Sequence, residues 1–119
     1  MINVQNPKYN LENRTALFAK QIIDLCKKIS QNAITTPIIN QLIRSGTSIG
    51  ANYCEANGAS SKKDFKNKIF ICKKESNETK YWLKMLQATD NTFIEECEIL
   101  WQEAHELTLI FSKIASSSR

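Results

Sequence analysis

Apolar side chains return every three or four residues in four separate stretches of the chain, with short polar segments between them. In the first, residues 11–30, Thr15, Phe18, Ile22, Leu25 and Ile29 keep the helical step, and Asn10 stands where a cap is expected. A polar connection follows. The second stretch, residues 37–57, opens with Thr36 as cap and Pro37 at the first helical position, where a missing N–H costs nothing. Ile38, Leu42, Ser45, Ile49 and Tyr53 then line one side, and Asn57 with Gly58 reads as a left-handed stop. Gly46 and Gly50 in mid-helix each cost about 1 kcal/mol against Ala, so close approach of another helix is expected there.

The third stretch, residues 61–88, has the most regular rhythm. Phe65, Ile69, Cys72, Ser76, Thr79, Leu83 and Leu86 step 4-3-4-3, and Ile71, Glu75, Glu78, Trp82 and Met85 form a second stripe beside them. Two stripes predict a helix that touches two neighbours. Ser61 with Asp64 suggests its N-terminal cap. The fourth stretch, residues 92–115, repeats the rhythm with Phe93, Cys97, Leu100, Ala104, Leu107, Phe111 and Ile114, and Thr92 with Glu95 forms a capping box. Residues 116–119 are expected to fray. Short loops between long helices predict antiparallel neighbours, hence one all-α domain over residues 1–119, an up-down-up-down four-helix bundle.

Antiparallel order allows heights to be compared along the bundle at about 1.5 Å per residue. Cys26, Cys54, Cys72 and Cys97 then spread over some 27 Å, too far for one metal site. No C-x-x-C pair occurs and His105 is the only histidine, so the cysteines read as small buried apolar groups and no metal or cofactor is expected. The same ruler sets Arg44 level with Glu75, with Glu78 one turn further. Two carboxylates at i, i+3 could serve acid–base chemistry, but the Glu-x-x-His pattern of di-iron bundles is missing. A guanidinium forked onto both carboxylates in the interior is the expected arrangement, and Arg44→Met should then cost roughly 3–5 kcal/mol. Asn52 and Glu55 fall level with Arg14, Lys63 and Lys66, where an ion pair would fix register. His105 lies off the fourth seam and should be partly exposed. With no Gly-rich phosphate loop, nucleophile elbow or Cys–His pair, neither an enzyme nor a small-molecule binder is expected.

Charge sharpens the reading. The net charge is +4, but residues 61–88 carry eight Lys against Asp64, Glu75 and Glu78, whereas residues 90–119 carry Asp90 and five Glu against Lys113 and Arg119. A basic helix thus precedes an acidic one. Lys62, Lys66, Lys73, Lys80 and Lys84 fall along one edge of the basic helix and are the candidate contacts to nucleic-acid phosphates. They equally suit a solvated face. Aromatic residues are not expected to interleave with them on the surface, so base stacking is not expected, and the scarcity of Arg argues against base-specific readout. A second possibility is a homo-oligomer in which basic and acidic helices of neighbouring copies meet, burying Phe70, Tyr81, Ile94 and Trp101. No apolar run approaches the length of a membrane span, and the first residues lack the pattern of a signal peptide, so a cytoplasmic protein is expected.

The run QLIRSGTSIGANYCEA, residues 41–56, resembles the signature of the bacterial four-helix-bundle family of 23S rRNA-intervening-sequence proteins. The likeness continues through SKKDF, residues 61–65, and KKESNETKYWL, residues 73–83, and includes Phe18 and Ala19. It spans roughly residues 11–115, although the last helix matches only in pattern. The resemblance implies a bundle fold and, for most members, no assigned activity. Some relatives are encoded within insertions of large-subunit ribosomal RNA genes. A similar protein of diversity-generating retroelements forms a basic homopentamer that partners a reverse transcriptase and its RNA. The family's recurring polar positions correspond here to Arg44, Ser48, Asn52, Glu55, Glu75 and Glu78, for which a buried structural network is implied.

Overall fold

A computed structural model describes residues 10–117, and the four expected helices are present: α1 Leu11–Lys28, α2 Thr35–Asn57, α3 Lys62–Thr89 and α4 Ile94–Ser117. No strand occurs among the described residues. Every cross-helix contact runs in opposite senses along its two partners. Gly46 meets Ile22 and Gly50 meets Thr15 between α1 and α2. Ser45 meets Thr79, Ile49 meets Cys72 and Glu55 meets Lys68 between α2 and α3. Lys80 meets His105 and Lys84 meets Trp101 between α3 and α4. Arg14 reaches Glu103 and Lys28 reaches Glu96 between α1 and α4. The bundle is antiparallel throughout and measures 45 × 26 × 19 Å. The α2–α3 seam is the most extensive, and α1 closes against α4 most loosely.

The predicted seams form the core. Thr15, Phe18, Ile22, Leu25 and Ile29 of the first stretch are all buried, as are Ile69, Cys72, Ser76, Thr79, Leu83 and Leu86 of α3. The second α3 stripe is half-buried along its whole length, as expected of a helix with two neighbours. In α2, Ile39 is buried and Ile38 only partly so, which turns the start of that helix slightly from the expected face. Gly46 and Gly50 earn their positions: a Cβ on Gly46 would sit 3.1 Å from Ile22, and one on Gly50 would sit 3.0 Å from the Thr15 hydroxyl. The helices α1 and α2 pack backbone-close because these two side chains are missing.

Helix ends depart from the expected caps. Asn10 accepts from Arg14 N–H through its peptide oxygen and makes no side-chain cap. At the start of α2 the capping residue is Asn32, whose Oδ1 accepts from the N–H groups of Ile34 (2.8 Å) and Thr35 (2.9 Å). The helix therefore begins before Pro37, which is still in the first turn, where no N–H has an intrahelical partner. Gly58 has φ −98°, so α2 ends without a left-handed residue. A tightened last turn, Gly58 N–H to Glu55 O at 3.2 Å, does the work. Ser61 caps α3 as expected, accepting from Asp64 N–H at 3.0 Å. Before α4, Asp90 Oδ1 accepts from Thr92 N–H at 3.0 Å and closes a turn in the loop two residues ahead of the helix.

Candidate nucleic-acid interface

Heptad repetition in α3 places its charges on two edges of the helix, one toward α2 and one toward α4. On the α2 edge Lys68, Glu75 and Glu78 are paired, while Lys63 and Lys74 are in no ion pair among the described residues. Arg44 Nη1 donates to Glu75 at 3.1 Å and Nη2 to Glu78, while its Nε donates to Gln41 at 2.9 Å. The Trp82 indole N–H donates to the same Glu78 carboxylate at 2.8 Å. That indole bond, with Arg44 behind it, holds the Glu78 carboxyl below its ordinary range. Lys68 donates to Glu55 at 2.7 Å.

The fork of Arg44 on Glu75 and Glu78 thus exists, but the polar network is only partly buried: Ser48, Asn52, Glu75 and Glu78 are half-buried, whereas Arg44 and Glu55 are exposed. The Arg44 side chain is 43% exposed and that of Glu55 is 59% exposed. Ser48 and Asn52 do not reach across the bundle. Each bonds back to its own helix, Ser48 Oγ to Arg44 O and Asn52 Nδ2 to Ser48 O. Their small or short side chains stand on the flank of α2, where the nearest free acceptor is a carbonyl one turn before. Arg14, expected near Glu55, forks instead onto Glu103 at 2.7 and 2.8 Å and touches Glu106. These residues tie helices together at the surface.

The α4 edge is different. Lys62, Lys66 and Lys84 are exposed and Lys73 and Lys80 half-buried, and among the described residues none of the five forms an ion pair. The acidic helix lies alongside, yet three of its five glutamates turn the other way, Glu96 to Lys28 and Glu103 and Glu106 to Arg14, all on α1, and Glu95 and Glu98 are in no ion pair among the described residues. An uncompensated positive edge about 33 Å long results.

Aromatic rings do enter this edge, contrary to the expectation from α3 alone. Trp101 of α4 lies beneath the ammonium groups of Lys80 (5.3 Å to the ring centroid) and Lys84 (5.4 Å). His105 stacks on Trp101 with centroids 5.2 Å apart and planes at 14°, and its Nδ1 is 3.1 Å from Lys80 Nζ. Antiparallel register was the signal that could have found them, since it sets Lys84 against Trp101 and Lys80 against His105.

The cysteines divide. Cys26, Cys72 and Cys97 are buried, and burial pushes the Cys72 thiol up to about 12 and the other two to about 11. Cys54, expected to be buried, is exposed on the last turns of α2. No group of three or more His, Cys, Asp or Glu side chains converges among the described residues. No helix among them is long and apolar enough to cross a membrane.

The profile of the 23S rRNA-intervening sequence protein family matches residues 8–113. The chain belongs to this family. A crystal structure of a protein of unknown function from the S23 ribosomal protein family of Bacteroides thetaiotaomicron superposes with a TM-score of 0.82. It is 34% identical, over 92% of this chain and 98% of that one. No curated protein matches the chain. In this 23S rRNA-intervening sequence protein, the features that need a functional explanation are the α3 lysines without a carboxylate partner among the described residues and the two α4 rings set among them.

Proposed function

We propose that this chain is a non-enzymatic accessory protein that binds nucleic acid, most simply RNA, and works as a homo-oligomer. The observation that carries the reading is that, among the described residues, Lys62, Lys66, Lys73, Lys80 and Lys84 have no carboxylate partner, although an acidic helix runs beside them. Cations kept on one edge and left uncompensated are what a sequence-independent phosphate contact requires. Trp101, stacked by His105 and lying under Lys80 and Lys84, holds those two ammonium groups along the edge. Single lysine edges of this kind bind weakly, and a closed ring would multiply them by avidity. The family resemblance suggests five subunits and an RNA–reverse transcriptase partner.

A second reading is a homo-oligomeric scaffold with no nucleic acid. Phe70 (59% exposed) and Tyr81 (55%) on α3, with Leu109 on α4, favour it, because such side chains gain from burial against a neighbour. Mass in solution combined with titration of labelled RNA and duplex DNA at two salt concentrations separates the two. Binding that weakens with salt, and that is lost when Lys66, Lys73 and Lys80 are changed to Glu, supports the first. An oligomer that ignores both nucleic acids at low salt leaves only the scaffold.

A further inference from the structure

Lys80, Lys84, Trp101 and His105 meet where α3 and α4 touch. Lys80 Nζ lies 3.1 Å from His105 Nδ1, and an ammonium has donors only, so Nδ1 accepts. The imidazole in this arrangement is neutral, with its proton on Nε2. It lies flat on Trp101 while Lys80 is drawn over the same indole. A neutral ring thus keeps one of the five lysines folded against the protein.

We propose that Lys80, Lys84 and His105 form a proton-gated cluster for the phosphates of nucleic acid, a reading that rests on the function proposed above. A proton on Nδ1 turns the acceptor into a donor and leaves two cations 3.1 Å apart. The contact breaks, Lys80 swings to solvent, and His105 becomes a cation beside it. Imidazole is the side chain suited to this, because it changes charge between pH 5 and 8. The charged groups around it are Lys80 and Lys84 from α3 and, on α4, Glu98 two turns before and Glu106 next in sequence. Glu106 is already engaged by Arg14 at 3.2 Å, and no carboxylate bonds to His105 among the described residues. A phosphate is then the counter-charge that the cluster lacks.

Because His105 is the only histidine, a single substitution isolates the effect. A labelled single-stranded RNA of about 20 nucleotides is titrated at pH 7.5 and pH 5.5 over a salt series, against the wild type and His105→Gln. Glutamine keeps an acceptor for Lys80 but takes no proton. The wild type should show a salt slope steeper at pH 5.5 by about 0.7 to 1.4, one or two extra single-strand contacts, and His105→Gln the same slope at both. In a Trp82→Phe background, Trp101 fluorescence should change over the same pH range and stay constant once His105 is replaced. Equal wild-type slopes at both pH values, or a variant that follows the wild type, overturn the gate and leave nucleic-acid binding standing. Absence of binding at either pH overturns both.

Discussion

The hydroxyls of Ser45 and Thr79 are hydrogen-bonded across 3.0 Å at the α2–α3 seam, and neither residue has any exposed surface. Two helices are pinned in one register by a polar contact inside an apolar core. Thr79→Val keeps the shape but leaves the Ser45 hydroxyl short of a partner, and should cost about 1–2 kcal/mol. Adding Ser45→Ala should return much of that loss, so a double-mutant cycle in urea should give a coupling of about 1 kcal/mol.

Gly46 inside α2 and Gly58 just past its end should respond in opposite directions. Gly46→Ala gains about 1 kcal/mol in helix propensity but drives a Cβ to within 3.1 Å of the buried, branched Ile22, and overpacking costs about 1–3 kcal/mol. A net loss of about 1 kcal/mol is expected. Gly58→Ala meets only a carbonyl oxygen at 3.9 Å, at an ordinary negative φ, and should stabilise by about 0.5 kcal/mol through the unfolded chain. Thermal or urea unfolding of the two variants checks the contrast.

The exposure of Arg44 revises its energetic role. Water screens a guanidinium that is 43% exposed, so Arg44→Met should cost about 1 kcal/mol and not the 3–5 expected of a buried triad. The sign of the pH effect follows from Glu78. A carboxyl held below its ordinary value of 4.5 adds stability above that pH and loses it as the solution becomes more acid. The indole of Trp82 is the leading cause, so stability followed from pH 6 to pH 3 should fall less steeply in Trp82→Phe.

Thiol chemistry should separate one cysteine from three. Cys54 is exposed, whereas burial raises Cys26, Cys72 and Cys97 far above the range in which thiolate forms. The native protein should react with one equivalent of a thiol reagent and the denatured chain with four, and Cys54→Ser should abolish the native reaction. Rapid labelling of two or more thiols in the native state would contradict the packing of α1 against α4.

Period and register were legible in the chain; exposure and caps were less so. The 4-3 rhythms located all four helices because burial of one stripe decides where a long helix must lie. Height along the bundle brought Arg44 to Glu75 and Glu78, since antiparallel rods share one ruler. Whether that fork lies inside or on the flank depends on helix rotation by a few tens of degrees, which the rhythm does not set. Cys54 went astray for that reason. Asn32 displaced Thr36 as the cap of α2 because several polar residues compete in that loop and backbone geometry chooses among them. Trp101 and His105 joined the lysine edge from another helix, so no reading of α3 alone could include them.

Position, not total charge, is what the nucleic-acid reading asserts, and one comparison isolates it. Lys66, Lys73 and Lys80 on the α3 edge are changed to Ala in one variant, and Lys20, Lys27 and Lys113, exposed elsewhere without carboxylate partners, in another. Both lose three charges. The slope of log K against log salt for single-stranded RNA, read at pH 5.5 where Lys80 is free to reach a phosphate, should drop by about 2 in the first and stay near the wild-type value in the second. Equal drops in the two, or no RNA binding by the wild type, would contradict it.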